Sequence, residues 1–244
     1  MDTTESAQRD ARLQELIAAV IHTGELVTEP VTVPGVATPL QVTRPTNTDL
    51  LLDQIADDPE QNLPYWAELW PSGIALAAAI AREPELVAGH RALELGCGIG
   101  ITAAIAVQAG AELIATDYAP ESLTLTRYTS LANVGVEPET LKVNWRDAAD
   151  QERLVAAGPF PVVLAADVLY ERRDIEPLLD LLDRLVASGG LFWLAHPGRP
   201  PARAFLEEAT RRGWTSETTE YTGPWPDPND EFIVAYVHQL RRHS

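Results

Sequence analysis

A glycine-rich stretch has the residue types and the spacing to bind a ligand. A short apolar run ends at Leu95, and Gly96, Gly98 and Gly100 follow at alternate positions. Glycines in a strand-to-helix turn permit positive φ and let a ligand approach the bare backbone, and the N-terminus of the next helix offers unpaired N–H groups. Glu94 precedes the first glycine, near the carboxyl end of the predicted strand, where open α/β sheets bind ligands.

The spacing of the glycines leaves two classes of ligand open. The dinucleotide fingerprint G-x-G-x-x-G/A fails from Gly96 but is matched from Gly98 to Ala103. An acidic residue just ahead of a G-x-G-x-G turn also resembles motif I of the class I S-adenosylmethionine (SAM) methyltransferases. SAM has no phosphate and carries a cationic amino-acid end. A carboxylate such as that of Glu94 therefore suits SAM better than a pyrophosphate.

An aromatic segment precedes the glycine turn. Residues 64–73 contain two tryptophans, one tyrosine and two prolines. Trp66 and Trp70 are four residues apart and would share a face if the segment were helical, while Pro71 favours a helix start. Aromatic rings attract cations such as a sulfonium, so the segment is a candidate wall of the site. A structural role, in which it pins the N-terminal segment onto the sheet, is equally compatible with the pattern.

Polar residues also follow the next two predicted strands. Asp117 ends the strand over 112–116, where an acid can accept hydrogen bonds from both ribose hydroxyls. Asn144 and Trp145 end the strand predicted over 141–145. An adenine ring bound there would need an apolar face and polar edge partners, which these two side chains could supply.

The next strand leads into a short polar motif. Its apolar run over 161–166 is typical of a buried parallel strand, and Asp167-Val168-Leu169-Tyr170 follows. Asp167 is a candidate partner of the reacting group, with a helix N-cap as the structural alternative. His196 follows a strand predicted over 191–195. We expect it to be a loop histidine without a catalytic role, and a proton acceptor is the alternative.

The predicted strands and helices alternate, which indicates an α/β fold. Five strand–helix units and a final β-hairpin predict a Rossmann-like sheet of seven strands. It would be mostly parallel, with one antiparallel strand and helices on both faces. Residues 1–60 predict a small extension with an amphipathic helix over 5–22 and short strands over 26–44. Residues 61–244 form the predicted main domain.

Composition limits the partners. The chain has 244 residues and a net charge of −18. Such acidity disfavours nucleic acid and favours a basic protein partner, although solubility or a salty habitat explains it equally well. Cys97 is the only cysteine, so neither an internal disulfide nor a cysteine metal site is expected. Without a long apolar run or a signal-peptide core, we expect a cytoplasmic protein that binds neither membrane nor metal.

Three motifs together resemble the seven-strand protein lysine methyltransferases. They are the glycine motif at 93–100, Asp117, and the D-x-x-Y motif at 167–170. The aromatic segment at 64–73 looks especially like that of methyltransferases of the electron transfer flavoprotein β-subunit type. The resemblance extends over roughly residues 60–240, and it implies a SAM-dependent transfer of a methyl group to a lysine of a protein.

The resemblance also implies roles for individual residues. The glycine motif would line the methionine end of SAM, Asp117 would bind the ribose, and Trp145 would pack near adenine. Asp167 and Tyr170 would face the methyl-accepting group, and Asp167 would orient the amine by hydrogen bonding. The implied cofactor contacts are Trp66, Trp70, Glu94, Gly96, Cys97, Gly98, Gly100, Asp117, Tyr118, Asn144, Trp145 and Ala166.

Three other functions are compatible with these residues. A small-molecule N- or O-methyltransferase would have the same fold and SAM site but a different acceptor pocket. A SAM-binding interaction module would keep the site without catalysis. An NAD-dependent oxidoreductase would use the second match of the glycine spacing. The motifs specify no oligomeric state.

Overall fold

The computed structural model describes residues 3–47, 51–52 and 63–242. The strands in these ranges are β1 (Leu26–Val31), β2 (Leu40–Pro45), β3 (Arg91–Leu95), β4 (Glu112–Asp117), β5 (Glu139–Lys142), β6 (Phe160–Ala166), β7 (Val186–His196), β8 (Trp214–Tyr221) and β9 (Ala235–Arg242). The helices are α1 (Thr3–Val20), α2 (Pro71–Arg82), α3 (Ile101–Gln108), α4 (Pro120–Val134), α5 (Ala148–Ala157), α6 (Ile175–Leu185) and α7 (Pro200–Arg211).

Seven of the strands form one sheet in the order β5–β4–β3–β6–β7–β9–β8. Strands β3 to β7 are parallel, and β9 runs antiparallel to both of its neighbours. The predicted fold class is therefore confirmed. Leu95, at the end of β3, lies opposite Thr116 on one side and Ala165 on the other. The carboxyl ends of the three central strands are thus level, and the motifs that follow them lie at one edge of the sheet.

Each central strand is buried on both faces. Successive side chains of a strand point to opposite faces. In β7, Leu191 and Trp193 contribute to one core, and Phe192 and Leu194 contribute to the other. The first core also contains α2, α3 and α4, and the second contains α5, α6 and α7. This double burial explains why the strands are continuous apolar runs.

The N-terminal extension packs against α4. Strands β1 and β2 form an antiparallel hairpin, as the proline-broken β pattern predicts. The Arg9 guanidinium donates to the carbonyl oxygen of Ala132 at 2.6 Å, and Asn133 exchanges two hydrogen bonds with the backbone of Gln41 at 2.7 and 2.9 Å. The predicted boundary between residues 60 and 61 lies outside the described residues.

The predicted strand over 141–145 is wrong in its position, because β5 occupies Glu139–Lys142. Side chains further along the chain explain the earlier end. Asp150 accepts the backbone N–H of Asn144 at 2.9 Å, and Asp147 caps α5 by accepting the N–H groups of two residues in its first turn. These local bonds replace strand pairing. The helix α5 itself was not predicted.

The other differences concern the ends of elements. Strand β7 begins at Val186 rather than at residue 191. The predicted final β-hairpin is formed by β8 and β9. No helix in the described ranges is both long enough and apolar enough to cross a membrane.

Candidate active site

The glycine turn joins β3 to α3, and its backbone requires glycine. Gly96, Gly98 and Gly100 have φ values of 71°, 54° and 85°, which other residues rarely adopt. A Cβ on Gly96 would lie 2.9 Å from the side chain of Val168. A Cβ on Gly100 would lie 2.6 Å from the Cα of Thr126, so it would collide with the backbone of α4.

A row of hydroxyl groups on α4 donates hydrogen bonds to carbonyl oxygens of the glycine turn. Ser122 donates to the Gly98 carbonyl at 2.7 Å, Thr126 donates to the same oxygen at 3.1 Å, and Thr129 donates to the Ile99 carbonyl at 2.8 Å. These three residues, the α4 hydroxyl row, share one face of the helix because they are three or four positions apart. The path of the turn is therefore fixed by hydrogen bonds within the protein.

Two predicted cofactor contacts lie on the α4 side of the turn instead. Cys97 is buried, with its Sγ 3.2 Å from the Thr126 hydroxyl, and burial raises the pKa of its thiol well above the usual range. Neither Cys97 nor Gly100 lines the pocket described below. Their small size allows the close packing of the turn on α4; that they contact the cofactor stays a prediction.

Glu94 lies beneath the turn and is fully buried. Its Oε2 atom has no hydrogen-bond partner among the described residues. Burial and the nearby Asp117 raise the pKa of Glu94 well above its usual range. A buried carboxyl oxygen without a partner is costly, and a cationic group would stabilise its ionised form. Glu94 does not itself line the pocket described below, so the cationic group that it favours would have to lie against the turn.

Most of the predicted site residues meet at the carboxyl edge of the sheet. They line one pocket. Of the predicted set, this pocket is lined by Trp66, Trp70, Gly96, Gly98, Asp117, Tyr118, Asn144, Trp145, Ala166, Asp167 and Tyr170. Tyr65, Val143, Arg146 and Val168 complete the lining. The glycine turn forms one side of the pocket, and the aromatic segment forms another.

A second pocket adjoins the first. Four residues line both of them: Tyr65, Trp70, Asp167 and Tyr170. Tyr65 makes edge-to-face contacts with Trp70 and with Tyr170, at 5.8 and 5.3 Å between ring centroids. These three rings, the aromatic wall, line both pockets. Burial is the main reason that the pKa of Tyr170 rises to about 12, so its hydroxyl stays protonated.

Asp167 lines both pockets. It follows β6 and has a φ of 54°, the one positive value at a non-glycine position in the described ranges. Because helical structure resumes only at Arg172, Asp167 is not the helix N-cap considered from the sequence. Burial raises the pKa of its carboxyl group, and Arg199 opposes this rise. Arg199 donates to both carboxylate oxygens, at 3.1 and 3.4 Å.

The aromatic segment is mostly not helical. A single 3₁₀ turn spans Tyr65–Ala67, and the backbone of Trp70 is extended before α2 begins at Pro71. Trp66 and Trp70 therefore do not share a helix face, although both reach the pocket. The predicted start of a helix at Pro71 is confirmed.

His196 is buried at the end of β7 and is not a loop residue. The Gly198 N–H donates to its Nδ1 at 2.9 Å, and its Nε2 lies 3.0 Å from Nε2 of His238. In the neutral ring the proton therefore resides on Nε2 of His196 and points at His238. Nδ1 of His238 then donates to the hydroxyl of Thr218 at 2.9 Å. Neither histidine lines the two pockets.

Comparison with known proteins identifies sequence relatives of this chain. The chain is 31% identical to the electron transfer flavoprotein beta subunit lysine methyltransferase of Xenopus laevis over 140 residues, which cover 56% of this chain and 53% of that protein. It is also 31% identical to the protein-lysine methyltransferase METTL21E of Mus musculus over 128 residues, covering 50% and 52%. The chain thus spans about half the length of these curated relatives.

Solved structures share the fold at low identity. The structure described as conversion of a disulfide bond into a thioacetal group during echinomycin biosynthesis has a TM-score of 0.56 at 15% identity, covering 81% of this chain and 93% of that one. The magnesium protoporphyrin IX methyltransferase of Synechocystis, solved with bound SAM, has a TM-score of 0.51 at 14% identity, covering 80% and 96%.

A family model gives the assignment. The model described as lysine methyltransferase matches residues 54–211. This range includes the aromatic segment, the glycine turn, Asp117 and the D-x-x-Y motif. Because the match extends over more than half of the sequence, the chain belongs to the lysine methyltransferase family.

Proposed function

We propose that the protein transfers a methyl group from SAM to the side-chain amine of a lysine in a protein substrate. The observation that carries this proposal is the position of Asp167, which lines both the pocket at the glycine turn and the second pocket beside it. Membership of the lysine methyltransferase family supports it, and it favours SAM over the dinucleotide that the glycine spacing leaves open.

The residues of the first pocket fit SAM. Glu94 would offer its unpaired carboxyl oxygen to the cationic methionine end. Asp117 lines this pocket and accepts the backbone N–H groups of Gly98 and Ala119; its carboxylate would also accept hydrogen bonds from the ribose hydroxyls. Trp145 and Asn144 would hold the adenine. When bound, SAM would supply the methyl group of its sulfonium: a neutral amine would attack the methyl carbon in line, and the thioether S-adenosylhomocysteine would leave.

The second pocket would bring the lysine amine into its neutral, reactive form. A lysine ammonium has a pKa of about 10.4, so forming the neutral amine at pH 7 costs about 4.6 kcal/mol. Desolvation by Tyr65, Trp70 and Tyr170 favours the neutral form. Asp167 would accept a hydrogen bond from the nitrogen and align it, which is the larger part of catalysis in a displacement of this kind.

A basic protein is the partner that the charge of the chain favours. The net charge of −18 would attract a lysine-rich surface and speed its encounter with the enzyme. The names of the two lysine methyltransferase relatives support a protein acceptor. The cytoplasmic location and the absence of nucleic acid and membrane binding stay predictions from the sequence.

The acceptor can be found by labelling. Purified protein is incubated with tritiated SAM and a cell lysate, and the products are separated by gel electrophoresis and by size. A labelled protein band that carries methyl-lysine in mass spectrometry supports the proposal. Label confined to the low-mass fraction supports a small-molecule methyltransferase. SAM binding without any labelled product supports a non-catalytic module, and binding of NAD instead of SAM would contradict the whole proposal.

A further inference from the structure

We propose that Arg199 occupies the place of the substrate's lysine ammonium before the substrate binds, and that the incoming lysine displaces it. The inference rests on the proposed function, because it places a lysine beside Asp167. It adds a specificity-determining residue that lies outside the aromatic segment, the glycine turn and the D-x-x-Y motif.

The first observation is the pair of contacts that Arg199 makes. Its Nε and Nη2 atoms lie 3.1 and 3.4 Å from the two oxygens of Asp167. Its guanidinium carbon also lies 5.5 Å from the centroid of the Trp70 ring. A carboxylate and the face of an aromatic ring are also the two partners that bind an alkylammonium group. Arg199 thus already makes the interactions that the proposal assigns to the substrate.

The second observation is the lining of the second pocket. Among the described residues that line it, the charged ones besides Asp167 are Glu171 and Arg199. Glu171 is already paired with Arg173 at 2.6 Å. Arg199 is therefore the cation in this lining, and Asp167 is the carboxylate that holds it. Two cations cannot share one carboxylate and one ring without repulsion, so a charged lysine and Arg199 compete.

The third observation is the contrast in exposure within the ion pair. The Arg199 side chain is 37% exposed, whereas that of Asp167 is 7% exposed. Arg199 can therefore return to water at little cost, but Asp167 would be left as a buried carboxylate without a counter-ion, which is unfavourable. Exchange of one cation for another avoids this penalty. At the binding step, without SAM, the pair thus selects a cationic side chain; the neutral amine is needed only for the transfer that follows.

The test measures binding of a lysine side-chain analogue without SAM. The full chain is titrated with n-butylammonium chloride at constant ionic strength, and the indole N–H signal of Trp70 is followed by NMR, with Trp70→Phe identifying that signal. Removal of the competitor in Arg199→Ala and Arg199→Gln should lower the dissociation constant about fivefold. Arg199→Lys keeps a cation and should bind like the wild type.

Arg203→Ala is the matched control, because Arg203 is an exposed cation in α7, the helix that Arg199 precedes, and should leave the dissociation constant unchanged. Methylguanidinium should also compete with n-butylammonium in Arg199→Ala. Equal or weaker binding by both neutral variants, or no binding by any form of the protein, would overturn the inference. Because the titration contains no SAM, this result is separate from the methyl-transfer assay that tests the proposed function.

Discussion

Asp117 accepts a hydrogen bond from the backbone N–H of Gly98 at 3.1 Å. This bond joins the end of β4 to the middle of the glycine turn. The other carboxylate oxygen of Asp117 accepts the N–H of Ala119 at 3.1 Å, just before α4 begins. One buried side chain therefore connects two elements that border the first pocket.

The first prediction concerns SAM affinity. Asp117→Ala and Gly98→Arg should each weaken SAM binding at least about tenfold, which is a loss of ~1.4 kcal/mol. The first variant removes the carboxylate from the pocket. The second places a large side chain where φ is 54° and where a Cβ already meets the carbonyl oxygen of Trp66 at 3.4 Å. Isothermal calorimetry measures both affinities.

Glu217→Ala provides the control, because it removes an exposed acidic charge on β8, away from the pocket. It should bind SAM like the wild type. If the wild type itself shows no SAM binding, the assignment of the cofactor fails, whatever the variants do.

The second prediction separates chemistry from cofactor binding. Asp167→Ala should abolish methyl transfer and leave the affinity for SAM within about twofold of the wild type, because Asp167 orients the amine rather than the cofactor. Asp167→Asn, which keeps a hydrogen-bond acceptor, should retain part of the activity. Transfer of tritium and calorimetry are measured on the same preparations. A collapse of SAM binding in Asp167→Ala would instead make Asp167 a cofactor ligand or a structural residue.

The third prediction compares two glycines with the same backbone conformation. Gly100 and Gly135 have φ values of 85° and 83°. A Cβ on Gly135 meets nothing within 4 Å, whereas one on Gly100 lies 2.6 Å from the Cα of Thr126. Gly135→Ala should therefore lower the free energy of unfolding by about 1 kcal/mol, from the backbone conformation alone. Gly100→Ala should cost roughly 3 kcal/mol or more, since α4 must also move.

Urea unfolding measures both changes. Similar losses in the two variants would show that the contact between the turn and α4 is not tight.

The fourth prediction concerns acid stability. Burial is the main cause that lowers the pKa of His196 and of His238 to about 4, below the value of about 6.5 in an unfolded chain. The unfolded state then binds more protons between these two pH values. The contribution of the pair to stability is complete above pH 6.5 and is lost as the pH falls towards 4.

His238→Gln removes one of the two titrating rings. The wild type should lose roughly 1 to 2 kcal/mol more unfolding free energy than this variant between pH 7 and pH 5. Some carboxyl groups also have raised pKa values, such as that of Asp174, which burial raises to about 6. They titrate in both proteins, so their contribution to the pH dependence of the unfolding free energy cancels in the comparison. Urea unfolding at several pH values measures the difference. Parallel curves for the two proteins would contradict the assignment.

Much of the fold follows from local patterns. The apolar runs that end at Leu95 and Ala166 specify parallel strands buried on both faces, and parallel strands bring the residues that follow them to one edge of the sheet. The positions of Gly96, Asp117 and Asp167 in the first pocket are therefore predictable from the order of strands and motifs along the chain.

Two features that the sequence did not predict arise from contacts between distant parts of the chain. Arg199 is 32 residues from Asp167, and their contact exists because β7 lies beside β6. The sequence signal for Arg199 as a site residue was its position just after the end of a parallel strand. His196 and His238 meet because β9 pairs with β7. The early end of β5 has a local cause, since capping of α5 by Asp147 prevails there over strand propensity.

The α4 hydroxyl row has a consequence for the kinetics of ligand binding. Three side-chain hydrogen bonds and one backbone bond, from Gly100 to the carbonyl oxygen of Cys97, order the turn in the free protein. The entropy of ordering this segment is thus lost at folding and not when the ligand arrives. Association should follow a single exponential whose rate rises linearly with ligand concentration, without the plateau that a slow closing step would impose.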